Sequence, residues 1–157
     1  MIDITDELRA LVTKLDEHGI NYALCGGMAM AIYDRPRFTI DIDLLIEEES
    51  LPKAMNIAES LAYNIRGKDL SFANGAVEIR RISKIDPDGG DLLTVDFLLV
   101  TPQIRKAWDS RVESEWEGGR LSVVSRAGLI ALKQLSGRPQ DLVDVNGLSE
   151  DERDGTN

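Results

Sequence analysis

One cysteine, one histidine, few basic residues and no apolar run long enough to span a bilayer set the first limits on this chain of 157 residues. A lone Cys25 cannot close an internal disulfide, which fits a reducing compartment such as the cytoplasm. With a single His18 beside that cysteine there is no Cys/His cluster to ligate zinc. His18 precedes Gly19 at the end of a helical pattern, where an imidazole interacts well with the helix dipole and needs no catalytic reason to be there. Lysine and arginine total 18 against 28 acids, a net charge of −10. The last nine residues, "SEDERDGTN", hold four acids and one arginine, so −3 belongs to the end of the chain and −7 to its body. A large nucleic-acid footprint needs clustered Lys and Arg, and the acidic body disfavours one. A small phosphate site remains open, because a bound metal reverses the local field. The opening residues "MIDITDELRALVTKLDEHG" are amphipathic and acidic, the reverse of a signal or transit peptide. Internal repeats and low-complexity segments are also missing.

What is present suits one globular domain over 1–148 followed by an acidic, disordered tail at 149–157. Hydrophobic content of 43% and charged content of 29% are ordinary for a soluble protein. Residues 4–18 carry Leu8, Leu11, Val12 and Leu15 at helical spacing, with Gly19 as a C-cap. "NYALC" reads as a short strand, Gly26-Gly27 as a sharp turn and "MAMAIYD" as a short helix. Residues 39–46 are a strand, and 51–64 a helix with Ser50 as N-cap and Pro52 in its first turn. Short strands are expected at 69–73 and 76–82, a turn at "DPDGGD", and a central strand at 92–100, "LLTVDFLLV". Thr101-Pro102 opens a short helix through Trp108, and 111–124 form a hairpin turning at Gly118-Gly119. Helices follow at 126–136 and from Pro139 to about 148. Strands mixed with helices predict an α/β or α+β domain: a mixed central sheet flanked by helices, with helices at the C-terminal end. Met28 and Met30 read as core filling, and Trp108 and Trp116 as packing or an oligomer contact.

The segment "TIDIDLLI" places two carboxylates in a strand. Alternation points Asp41 and Asp43 to one face and Ile40, Ile42 and Leu44 to the other. Neighbouring carboxylates repel in a poorly solvated site, and a divalent cation between them lets both stay ionised. Hard oxygen ligands suit magnesium, which takes one or two carboxylates, keeps waters and binds substrate phosphates. Taken alone, "DID" also fits a half-exposed strand whose acids face water. Asp96 narrows the choice, being the one charge in "TVDFLLV". It is a third ligand if its strand pairs with 39–46, or else it caps a strand end or answers an arginine elsewhere. Gly26-Gly27 lies between strand and helix, where glycines let a phosphate approach main-chain N–H groups.

Together, "LCGGMAMAIY…RPRFTIDIDLLI" resembles the signature of the nucleotidyltransferase superfamily of the DNA polymerase beta type: Gly-Gly or Gly-Ser, about a dozen residues, Asp-apolar-Asp, and a third carboxylate on a later strand. Its small members include toxin and antitoxin nucleotidyltransferases and aminoglycoside-modifying enzymes. "VVSRAGLIALKQLSGRPQDLVDVNGL" is similar to the C-terminal segment of several of them, so the likeness spans about 20–148. The resemblance implies a nucleotidyltransferase fold and magnesium-dependent transfer of a nucleoside monophosphate from an NTP to a hydroxyl of a protein, a tRNA or a small molecule. It implies that Gly26 and Gly27 hold the triphosphate, that Asp41 and Asp43 bind two Mg2+ ions, and that Asp96 completes the second metal and helps activate the acceptor. Arg37 and Thr39 lead into the metal strand; Arg37 either touches a phosphate or is a solvated loop arginine. Lys133 either reaches the triphosphate, as in the resembling families, or extends to water. Asp141, just after Pro139, has a sufficient structural reason at a helix N-terminus; Asp141 and Asp144, one turn apart, either pair with Arg138 or Lys133 or correspond to the Asp pair in the C-terminal segment of the resembling families. Many members carry Ser where Gly27 stands, so a hydroxyl contact to phosphate is missing here. Two other readings stay open: a catalytically silent relative acting as a binding module, such as one half of a toxin–antitoxin pair, and a plain α/β domain with solvent-facing acids. The implied partners are an NTP and a protein, with no membrane.

Ligand linkage separates these readings. Magnesium plus a nucleoside triphosphate is expected to raise the melting temperature, and Asp43→Asn to abolish that rise without lowering stability in metal-free buffer, since it relieves like-charge repulsion. A loss of metal-free stability in a thermal-shift measurement would assign Asp43 a structural role instead.

Overall fold

The computed structural model describes residues 3–33, 41–116, 119–136 and 147–148. The expectations for Arg37, Thr39, Arg138, Pro139, Asp141, Asp144 and the tail fall outside those residues.

Helix α1 (Ile4–Glu17) buries Leu8, Leu11, Val12 and Leu15, as its periodicity requires. Asp3 caps it, accepting from the Thr5 N–H at 2.9 Å and the Asp6 N–H at 3.4 Å. His18 ends it, with its ring Nδ1 2.8 Å from the Lys14 carbonyl oxygen. Strand β1 (Ala23–Cys25) runs directly into α2 (Gly26–Ile32). The glycine pair makes the junction: Gly26, at φ +69°, is the sharp turn from strand to helix and Gly27 lies in the helix's first turn. After β2 (Asp41–Ile46), a 3-10 turn at Glu48–Ser50 leads into α3 (Leu51–Ser60). Ser50 makes no side-chain cap, contrary to expectation, because it already sits in that turn with helical backbone angles. Helix α3 also stops four residues short of the predicted end: Ala62 takes φ +75°, and the chain leaves for β3 (Ile65–Arg66), a strand the periodicity did not reveal.

Strands β4 (Leu70–Phe72), β5 (Val77–Ile85) and β6 (Leu92–Leu99) follow, then α4 (Arg105–Asp109), β7 (Val112–Trp116), β8 (Gly119–Val123) and α5 (Arg126–Ser136). Gly119 pairs with Trp116 and so opens β8; it was expected in the turn. Among the described residues, the strands form one mixed sheet in the order β3-β5-β6-β2-β1-β8-β7, with β4 also on the β5 edge. Strands β2 and β6 are parallel, as are β1 and β8; the other pairs are antiparallel. The sheet is thus mixed and flanked by helices, as the sequence predicts.

One face of the sheet is core. Ile42, Leu44 and Ile46 of β2, Val95 and Phe97 of β6 and Ile82 of β5 are fully buried in one cluster with Leu8, Leu11 and Leu15 of α1 and Ala54 and Ala58 of α3. The other face carries Asp41, Asp43 and Asp96.

A polar knot ties α1 to the sheet. Tyr63 is fully buried and donates from its hydroxyl to Glu7 Oε1 at 2.9 Å. Lys84 of β5 pairs with the same Glu7, donates to the Leu61 carbonyl at 3.1 Å, and lies 4.5 Å from the Tyr63 ring centroid. Burial, then the bond to Glu7, pushes the Tyr63 hydroxyl well above its ordinary pKa, so it stays a donor at any physiological pH. Tyr63→Phe is expected to lower stability by about 1–2 kcal/mol in urea denaturation with the m-value unchanged, because Glu7 keeps Lys84 when the hydroxyl is lost.

Candidate active site

Strand register builds the site. Cys25 pairs with Asp43, Asp43 with Asp96, and Asp96 with Arg81, so four adjacent strands contribute one straight row. Residues directly opposite across a ladder share a face. Asp41 lies two residues before Asp43 on that face, opposite Thr94. Thr94 in turn shares a hydrogen bond with Ser83 across the β5–β6 pair, their hydroxyls 2.9 Å apart. Helix α5 supplies Lys133 above the row.

These groups line one cleft of about 170 Å³ that holds Gly26, Asp41, Asp43, Arg81, Asp96 and Lys133. Its remaining wall is apolar and includes Leu70 and Phe72 of β4, Ile79 of β5 and Leu98 of β6. A larger cleft of about 450 Å³ opens beside Asp16, Tyr22 and Glu113. It contains none of the residues that the sequence singles out, so chemistry and not size selects the smaller one.

Gly26 shows how closely the turn fits the acid. A Cβ placed there would lie 2.1 Å from Asp43 Oδ2, and the residue has φ +69°. Both facts require glycine. The Asp43 carboxylate therefore occupies the space that any other residue at 26 would fill. Gly27 is buried immediately behind and does not line the cleft.

Asp96 is 4% exposed, and Arg81 takes both of its oxygens, Nε to Oδ1 at 2.8 Å and Nη2 to Oδ2 at 2.9 Å. Such a fork is the strongest hydrogen-bonded arrangement open to a carboxylate and an arginine. The bond to Asp96 raises the Arg81 pKa against a smaller opposing effect of burial, and the charges of Asp41 and Asp43 add to it. Lys133 is only 5% exposed and faces into the cleft, not out to water. Burial, then the Asp43 charge, pushes the Cys25 thiol well up, so this cysteine is a packed neighbour of the site and not a nucleophile.

The sequence between residues 9 and 157 matches the model of the family described as "Nucleotidyl transferase AbiEii toxin, Type IV TA system". The chain belongs to the AbiEii nucleotidyltransferase toxin family. Solved structures agree on the fold. A candidate nucleotidyltransferase from Thermotoga maritima superposes with a TM-score of 0.63 at 15% identity, over 96% of each chain. ANT(2")-Ia in complex with adenylyl-2"-tobramycin gives 0.62 at 17% identity, over 91% of this chain and 85% of that one. The lincosamide antibiotic adenylyltransferase LnuA, bound to lincomycin, gives 0.51 at 15% identity, over 92% and 95%. None of the curated proteins matches the sequence. The chain is a nucleotidyltransferase by family and carries the fold of those enzymes.

Within this AbiEii-family site, the donor set is suited to a hard dication. Asp41 and Asp43 offer carboxylate oxygens from one strand face, the small number that magnesium accepts when waters and phosphates complete its shell. Among the described residues, however, no three Asp, Glu, His or Cys groups converge closely enough to form a ready-made cage. The third acid is turned into the arginine fork. Arg81 and the apolar wall were not singled out from sequence, although an arginine answering Asp96 stood among the alternatives. The available signal was period two: Val77, Ile79 and Arg81 alternate along one side of β5, so a charge continues an apolar stripe.

Gly26→Ala tests the fit of turn to acid. The added methyl group must displace the Asp43 carboxylate and adopt a left-handed backbone, for an expected loss of about 2–4 kcal/mol in chemical denaturation. The thermal response to magnesium and nucleotide is expected to disappear with it.

Proposed function

We propose that this protein transfers a nucleoside monophosphate from a nucleoside triphosphate to a hydroxyl acceptor, with magnesium held by Asp41 and Asp43. The observation that carries this reading is the registered row, which sets Asp43 beside Asp96 within one cleft that also holds Gly26 and Lys133. In the reaction, the acceptor oxygen bonds to the α-phosphorus as the bond to pyrophosphate breaks. Bound magnesium would neutralise charge on the α-phosphate and on the departing pyrophosphate. Gly26, which lines the cleft, leaves the main chain open to the triphosphate, with Gly27 buried next to it. Lys133 adds a buried positive charge above the acids, a setting in which a fixed charge acts strongly on a phosphate. Asp96 is the acid closest to β5 and the apolar wall, where it would take the acceptor's proton or complete a second ion.

The apolar wall suits an acceptor with a planar or aliphatic body beside its reacting hydroxyl. The acidic charge of the chain disfavours a tRNA acceptor without removing it. The family description speaks of a toxin–antitoxin system, and we propose an antitoxin as the protein partner. Among the described residues, no helix is long and apolar enough to cross a membrane. A supply of nucleoside triphosphates makes the cytoplasm the proposed compartment.

One observation favours a second reading. The complete engagement of Asp96 by Arg81 is also what a silent nucleotide-binding module would show. Transfer of labelled nucleotide to a component of cell extract decides between them. Enzyme activity is expected for the native chain, with a loss of about 100-fold or more for Asp43→Asn. Nucleotide-induced stabilisation without any labelled product would establish the silent module.

A further inference from the structure

Resting on the magnesium reading above, we propose that Arg81 is a positioning residue that stands in for a dication at Asp96 and surrenders that carboxylate when metal and nucleotide enter together. Two observations and one electrostatic argument support it. Asp96 is deeply buried and flanked along the row by Asp43, so two acids stand side by side where water is scarce and a neighbouring positive charge is favourable. Arg81 supplies that charge through both carboxylate oxygens, the same atoms that a metal would use. A dication on that carboxylate would lie beside the guanidinium, and the two positive charges repel. Arg81 and metal therefore compete for Asp96.

The surroundings of Arg81 allow the exchange. Its side chain is 40% exposed, although the acid it holds is buried. Gly67 lies against its aliphatic stem, where a Cβ would come within 3.1 Å of Arg81 Cγ. The Gly67 N–H donates to the Arg81 carbonyl at 3.0 Å, which fixes the backbone beneath it. The stem is held and the guanidinium reaches open cleft. Released from Asp96, that head faces the space where a triphosphate lies under the proposed function, and phosphate oxygens accept a guanidinium fork as well as a carboxylate does. Metal frees Arg81 and phosphate captures it, so each ligand favours the other. By linkage, that coupling is reciprocal.

Manganese binding measured by electron paramagnetic resonance tests the exchange without reference to turnover. In the absence of nucleotide, Arg81→Gln is expected to bind Mn2+ about tenfold more tightly than the native protein, because a competing charge beside Asp96 is gone. Adding ATP is expected to tighten Mn2+ binding in the native protein and to have less effect in the variant. Arg81→Lys keeps the charge but loses the fork, and is expected to shift affinity in the same direction by a smaller factor. It serves as the measured variant if Arg81→Gln does not fold. Mn2+ binding in the native protein that is equal to or tighter than in these variants would overturn the exchange and leave the metal site standing. Absence of Mn2+ binding in every form, with or without ATP, would overturn the metal reading and the exchange together.

Discussion

The pairing register of four strands is the constraint on which the rest of this molecule depends. Cys25, Asp43, Asp96 and Arg81 come from segments far apart in sequence, and only the ladder bonds of β1, β2, β6 and β5 bring them into line. A slip of one residue in any of these pairs would exchange the two faces of the strand. Asp43 would then move into the layer where Ile42 and Leu44 are wholly excluded from water. The hydrophobic face therefore specifies the polar one: burying Ile42, Leu44, Val95 and Phe97 is what keeps the acids aimed into the cleft.

That arrangement concentrates negative charge in a poorly solvated place, and among the described residues two cations of different character line the same cleft. Arg81 is anchored in the sheet and directed at a single acid, whereas Lys133 arrives from helix α5 and faces the cleft as a whole. Burial of a lysine to this extent is uncommon without compensating charge, and the acids below supply it. Under the proposed function, this charge balance has a chemical purpose, the handling of a polyanionic substrate.

Much of this was legible from the residues. The apolar period of α1, the run "LLTVDFLLV" and the alternation in "TIDIDLLI" announced a core helix, a central strand and a two-faced strand. The glycine turn and the paired acids were each legible as parts of one signature, but the contact between Gly26 and Asp43 needed coordinates. The edge beyond β5 was harder. Strand β3 has two residues, both exposed, too few for any period to register, whereas β4 falls within the strand expected at 69–73. The end of α3 was overestimated because "LAYN" continues a helical pattern, while Tyr63 is drawn out of it by the buried bond to Glu7. Selecting the partner of Asp96 required the phase of β5, since Arg80 and Arg81 are adjacent and only the stripe Val77, Ile79, Arg81 tells them apart. Arg80 ended on the opposite face, 3.6 Å from Asp69.

The parallel contacts at the centre of the sheet also bear on biosynthesis. Strand β1 finds its second neighbour only when Val123 has been made, and the cleft is closed by Lys133, ninety residues after Asp43. At about 5–20 residues per second on the ribosome, roughly 5–18 s separate translation of the first acids from translation of the lysine above them. A nascent chain interrupted between Asp96 and Gly119 carries Asp41, Asp43 and Asp96 but leaves β1 as an open border. Long-range pairing of this kind thus ties the competence of the site to synthesis of the chain through Lys133.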